Sequence, residues 1–107
     1  MGLYGIYDKH TVEACPVNNL ETAKALVALT QSDVPALAGK HNVHKIVAQY
    51  HSALEHTLIW VVEAEDAHGV QSLCIESGLA SFNELKIVPL LTFADGVVPL
   101  IKQIQNL

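Results

Sequence analysis

The sequence predicts one α+β domain, over residues 1–107, built on a single antiparallel sheet. Runs of branched and aromatic residues alternate with runs of helical spacing in the order β-α-β-β-α-β. Half of the residues are hydrophobic and only 16% are charged, a composition that is typical of a packed globular core. No repeat or linker divides the chain, so we expect one domain.

The first half of the chain is predicted to form one strand and a helical crossover. Leu3–Tyr7 is rich in aromatic and branched residues and predicts a strand, which a polar loop follows. Asn18 or Asn19 is a suitable N-cap for a helix over Leu20–Thr30, where apolar residues recur at helical spacing. A short second helix is expected to end at Gly39.

The second half is predicted to add a hairpin, a helix and a last strand. His44–Ser52 and His56–Ala64 are strand-like runs at hairpin spacing, although the turn between them lacks the usual Gly or Asn. Asp66 is expected to cap a helix that ends near Ser77. Leu85–Thr92 completes the set as a fourth strand.

This order of elements predicts a ferredoxin-like fold. Right-handed crossovers give a sheet of strand order 4-1-3-2 with the helices on one face. Pro89 cannot donate to a sheet ladder, so the fourth strand is expected at an edge. A C-terminal helix over Ala94–Gln105 is extra to the pattern, and Pro99 should truncate or kink its first turn.

The second face of the sheet also requires a cover. Leu58 and Trp60 alternate along the third strand with Ile59 and Val61, so both faces are apolar at its centre. A solvated sheet face would carry polar residues at alternate positions. Either the C-terminal helix folds over this face or a second copy of the chain packs on it, and we predict the second, as a two-fold dimer.

Composition excludes several classes of function. The net charge is −5 and all six basic residues are Lys, so we expect no nucleic-acid partner. The longest apolar run, around Leu58–Val62, is far short of the roughly 20 residues of a membrane span. Met1–Gly5 has no basic segment or cleavage site, and Cys15 and Cys74 form no disulfide framework. We therefore expect a cytoplasmic protein without a membrane partner.

Histidines and a cysteine are expected to meet at one end of the sheet. His10 follows the first strand, His51 ends the second and His56 opens the third. Because Zn, Cu and Ni bind imidazole and thiolate, we predict a transition-metal site formed by His10, Cys15, His51 and His56. The spacing matches no known ligand motif, so a purely structural role for these residues is the alternative.

A ligand cleft between sheet and helices is a second prediction. Its candidate residues are Tyr4, Tyr7 and Trp60, together with Glu13 of the first loop. Aromatic residues at strand spacing suit a core or a dimer surface equally well. No phosphate loop, paired-carboxylate site or metalloprotease motif is present.

The segment Leu3–Pro16, with its His-Thr-Val-Glu-Ala-Cys-Pro, resembles the opening of a small uncharacterised family that is common in archaea and carries His-Thr-x-Glu-x-Cys-Pro. His56–Asp66 and Leu85–Phe93 are similar to its third and closing strands, whereas the crossover around Ser32–Asn42 is longer. The resemblance implies a dimeric α+β barrel, a superfamily that includes cofactor-free monooxygenases, lactone isomerases and heme-degrading enzymes. It implies no established activity and points to His10, Glu13, Cys15 and His56.

We therefore expect a homodimeric binding protein that holds a transition metal or a small ligand at the His/Cys end of the sheet. A small cofactor-independent enzyme, with His10 or His56 as its acid–base group, is one alternative, because the pKa of imidazole lies near neutral pH. A structural or interaction domain is another, and whether the protein is an enzyme stays open.

Overall fold

A computed structural model of all 107 residues shows a four-stranded antiparallel sheet with three helices packed on one face. The strand order is β2-β3-β1-β4, which confirms the predicted order read from the opposite edge. A 3-10 turn at Leu79–Ser81 precedes the last strand. In chain order the elements are β1 (Gly2–Lys9), α1 (Leu20–Gln31), α2 (Val34–Lys40), β2 (Val43–Ser52), β3 (Thr57–Ala64), α3 (Ala67–Glu76), β4 (Glu84–Leu90) and α4 (Val98–Gln105).

The helices begin where the sequence places polar caps. Asn19 Oδ1 accepts hydrogen bonds from the N–H groups of Glu21 and Thr22 at the start of α1. Asp66 accepts in the same way from Gly69 at the start of α3. These side chains satisfy N–H groups that have no partner inside the helix, so the predicted caps are confirmed at both positions.

The C-terminal helix starts later than predicted. Its regular part begins at Val98, and Phe93–Val97 form a single π turn in which Gly96 and Val97 donate to the carbonyl of Thr92. Pro99 lies in the first turn of α4, directly after the π turn, and has no N–H that could continue the hydrogen bonding of that turn. The proline therefore sets the start of the regular helix.

The core lies between the sheet and the helices α1, α2 and α3. Ile6 of β1 and Trp60 of β3 are buried against Leu73 and Val70 of α3 and their neighbours. Cys74 is buried in the same layer, and burial raises the pKa of its thiol to about 11. A thiol with so high a pKa is unreactive, so Cys74 is a small core residue.

The other face of the sheet has no cover within the chain. Side chains at alternate positions, including Tyr7, Ile59 and Val88, are exposed there. The helix α4 contacts the π turn before it and buries no side chain, so it does not fold over this face. We call this surface the open face. Its apolar and aromatic residues are Leu3, Gly5, Tyr7, Ala48, Tyr50, Ile59, Val61, Val88 and Leu90, and its charged residues are Lys9, Lys45, Glu63, Glu84 and Lys86.

One carboxyl group is buried on the helix side of β1. Asp8 is 4% exposed, its Oδ1 accepts from the N–H of Leu58 at 2.9 Å, and its Oδ2 has no partner. Burial raises the pKa of Asp8 from 3.8 to about 7, and the Leu58 hydrogen bond offsets part of that rise. The folded chain therefore holds a proton that the unfolded chain releases near pH 4.

We predict that Asp8 contributes a loss of stability to the metal-free protein as the pH rises from about 4 to about 7, because the folded state binds the Asp8 proton more tightly over that window. Asp8→Asn keeps an oxygen for the Leu58 N–H and should remove this slope. Above pH 7 the variant should exceed the wild type by up to about 4 kcal/mol. Urea unfolding across pH in the presence of a chelator measures the difference, with exposed Glu84→Gln as the control. A difference in stability between Asp8→Asn and the wild type that does not change over this range would contradict the prediction.

Candidate functional site

Three of the predicted ligands meet at one end of the sheet. His10, Cys15 and His56 each present a potential ligand atom, and these three atoms all lie within 4.8 Å of one another. His10 and Cys15 are buried and His56 is half-buried. We call these three residues the His–Cys cluster.

The sheet brings the two imidazoles together. The last residue pair of the β1–β3 ladder is Lys9 and Thr57, and His10 and His56 come immediately beyond it. The backbone N–H of His10 donates to the carbonyl of His56 at 3.0 Å, which continues the pairing by one residue. The separation of the two side chains is therefore set by the sheet rather than by flexible loops.

The turn between β2 and β3 holds His56 in an unusual backbone conformation. His56 has φ +56°, in the left-handed region that Gly or Asn adopts more easily. Ser52 Oγ accepts from the N–H of Glu55 at 3.2 Å inside the same turn. The turn has no Gly or Asn to adopt this conformation, so His56 adopts it with backbone strain. This conformation places the imidazole of His56 in the His–Cys cluster.

Hydrogen bonds within the first loop hold Cys15. The carbonyl of Cys15 accepts from the backbone N–H groups of Asn18 and Asn19 at 2.8 and 2.9 Å. The side-chain amides of Asn18 and Asn19 donate to the carbonyls of Val12 and Glu13, each at 3.0 Å. The two asparagines therefore fold the loop back on itself and bury the thiol beside the histidines.

Asn83 decides which nitrogen of His10 carries the proton. Its Nδ2 donates to the carbonyl of Leu79 at 2.9 Å, so its Oδ1 is the atom that lies 2.7 Å from His10 Nδ1. His10 Nδ1–H must donate to that oxygen, which leaves a lone pair on Nε2. His10 Nε2 and His56 Nδ1 are both buried without a hydrogen-bond partner, so each is free to bind a metal ion through a lone pair.

The fourth predicted ligand, His51, lies beside the cluster. Its ring stacks on His10 with centroids 5.4 Å apart and planes 3° from parallel, and it is not among the three residues whose ligand atoms converge. Burial lowers the pKa of His51, and the nearby His10 and His56 lower it further. Phe82 contacts His10 with a tilted ring at 6.0 Å. Aromatic rings thus surround His10.

Histidines elsewhere in the chain have ordinary surface environments. At the opposite end of the sheet, His41 pairs with Glu76 and His44 pairs with Glu65. Hydrogen bonds from Lys40 and then from His41 lower the pKa of Glu76. The unpartnered, buried nitrogens of His10 and His56 therefore distinguish the His–Cys cluster from the rest of the molecule.

The four predicted cleft residues lie in different places. Trp60 lines a cleft of about 390 Å³ between the sheet and the helices. Tyr4 packs against the core, and Tyr7 lies on the open face. Glu13 has an exposed side chain and contributes only its carbonyl to the loop.

Comparison with known proteins gives the fold and little more. No protein-family model matches the chain, and no curated protein matches it in sequence. The crystal structure of a dimeric ferredoxin-like protein from an uncultured marine organism is similar, with a TM-score of 0.52 and 11% identity over 89% of this chain and 97% of that one. The chain therefore has a ferredoxin-like fold, and the resemblance to the small archaeal family stays a prediction. No helix has the length and apolar character needed to cross a membrane.

We predict that His56→Gly stabilises the metal-free protein by about 0.5–1 kcal/mol, because glycine adopts φ +56° without strain and the buried, unpartnered Nδ1 is removed. Urea unfolding in the presence of a chelator measures the change. Glu55→Gly, in the same turn at a negative φ, is the matched control and should destabilise by a similar amount. A loss of stability in His56→Gly as large as that in the control would contradict the strain.

Proposed function

We propose that this protein is a homodimer that binds a divalent transition metal ion through His10, Cys15 and His56. The observation that carries the proposal is that one ligand atom from each of these three residues lies within 4.8 Å of the others. Both histidines also have a buried ring nitrogen without a hydrogen-bond partner. Leaving buried polar atoms unsatisfied costs about 1–3 kcal/mol each, which a bound ion would offset. Two imidazoles and a thiolate suit Zn²⁺, Cu²⁺ or Ni²⁺ rather than Mg²⁺ or Ca²⁺.

The distances and the surrounding groups fit such an ion. Nitrogen and sulfur ligands of one zinc ion lie about 3.5 Å from each other, so atoms within 4.8 Å need only a small closure of their side chains. Asn83 would orient His10 as a second-layer hydrogen-bond partner, as is usual for metal-bound histidines. Three ligands leave a fourth position for water, for another molecule or for the adjacent His51.

We predict about one equivalent of Zn²⁺ per untagged chain, and its loss in His10→Ala and Cys15→Ser. Elemental analysis after dialysis measures the content, and the Co²⁺-loaded protein should show a thiolate-to-metal absorption band that Cys15→Ser removes. Cys74→Ser is the matched control, because Cys74 is also a free, buried thiol and lies outside the cluster.

Two further variants test the surroundings of the metal. Asn83→Ala should weaken Zn²⁺ binding by about 10–100-fold, since it frees the tautomer and the ring of His10. His51→Ala should weaken it less than His10→Ala, because the His51 ring stacks beside the cluster. Wild-type protein without metal, or Cys15→Ser that binds Zn²⁺ as the wild type does, would refute the metal site.

The homodimer rests on the open face and on α4. The open face exposes several large apolar or aromatic side chains, including Tyr7, Ile59 and Val88, and groups of exposed apolar residues often mark protein–protein contacts. Leu100, Ile101 and Ile104 of α4 are exposed as well, on a helix that has no packing partner in the chain. The similar solved structure is that of a dimeric protein with this fold. A second copy of the chain would cover both surfaces.

We predict a mass of about two chains in solution, and a shift to one chain in Ile59→Lys, which puts a charge in the open face. Ile59 is 40% exposed in the single chain, so the variant should still fold. Ile75→Lys on α3, at 63% exposure, is the matched control and should stay dimeric. Light scattering measures the mass, and a monomeric wild type would contradict the dimer.

The charge of the chain and its two cysteines bear on its partners and location. The chain has no Arg and a net charge of −5, so no nucleic-acid partner is proposed. Cys15 and Cys74 are both free thiols, which favours the reducing environment of the cytoplasm.

A further inference from the structure

A cleft next to the His–Cys cluster has the anatomy of a small-molecule site. It lies between β2–β3 and the end of α1 with the start of α2, and its volume of about 390 Å³ falls in the range of such sites. Its floor is formed by buried apolar side chains, namely Leu29, Val34, Leu58 and Trp60. Its rim is polar and exposed, with Thr30, Ser32, Gln49 and His51.

The lining of the cleft carries no Lys, Asp or Glu. A charged ligand would therefore lose hydration without gaining a counter-charge. The other hollows near this end of the sheet differ, because Lys9 and Glu84 line them. Of these three hollows, only this cleft has a lining without Lys, Asp or Glu.

We propose that the cleft binds a small neutral organic molecule, with an apolar ring or chain on the floor and a hydroxyl or carbonyl group at the polar rim. This site is separate from the proposed metal site and does not require it. His51 connects the two, because its ring lines the cleft and stacks on His10. If the polar group of a bound molecule contacted His51, only the His51 ring would separate it from His10 of the His–Cys cluster.

Three cyclohexane derivatives test the proposal, since they share a ring and differ in charge. Trp60 is the only tryptophan and lines the cleft, so its fluorescence reports occupancy. At pH 7 cyclohexanol should give a saturable change with a Kd of about 1 mM. Cyclohexanecarboxylate and cyclohexylamine, which are charged, should bind at least about tenfold more weakly. Equal binding of all three, or no saturable change with cyclohexanol, would overturn the proposal.

Filling the cleft provides the matched variants. Gln49→Phe adds a ring at the rim and should abolish cyclohexanol binding, whereas Val47→Phe, on the same strand and outside the cleft, should leave it unchanged. Thr30→Phe fills the cleft from α1 if Gln49→Phe does not fold. Binding that survives both filling variants would place the alcohol elsewhere and overturn the proposal.

Two parallel readouts keep this test distinct from that of the metal site and from self-association. Zn²⁺ content should stay at the wild-type level in Gln49→Phe, so failure of either site leaves the other standing. Light scattering on Gln49→Phe shows whether a second copy occupies the cleft. If Gln49→Phe becomes monomeric and the wild type binds no cyclohexanol, a second copy of the chain occupies the cleft. That result would refute the proposal.

Discussion

The antiparallel register between β1 and β3 is the constraint on which the rest of the structure depends. It places Ile6 opposite Trp60 in the core and Tyr7 opposite Ile59 on the open face. It also ends at the residues just before His10 and after His56, whose backbones then share a hydrogen bond. Because side chains alternate between the faces, a slip of one residue would move all these groups to the wrong side. The β1–β3 register therefore determines the core, the open face and the His–Cys cluster together.

The same end of the sheet holds the features that oppose stability. His56 has a left-handed backbone, and unpartnered buried atoms occur at His10, His56 and Asp8. Strain and unsatisfied groups of this kind persist where the surrounding structure imposes them, and they are common at functional sites. The rest of the core is apolar and well buried, which allows the fold to tolerate them. This contrast between the His–Cys end of the sheet and the apolar core is the physical basis of the functional proposals.

The two faces of the sheet have separate roles in these proposals. The helix face carries the His–Cys cluster and the neutral cleft, which meet at His51. The open face and α4 remain for a second copy of the chain. A change such as Ile59→Lys can therefore alter assembly without touching the metal ligands.

The sequence by itself determined the order of the elements, the edge position of Pro89 and the caps at Asn19 and Asp66, because hydrophobic period, proline and capping chemistry act locally. Given the strand order, it also placed His10, Cys15, His51 and His56 at one end of the sheet. The tertiary structure alone decided that Asn83, 73 residues from His10, holds its Nδ1, and that His51 stacks there. It also decided that Trp60 lines the cleft while Tyr4, Tyr7 and Glu13 lie elsewhere. Such contacts depend on side-chain directions across distant segments, which no local pattern encodes.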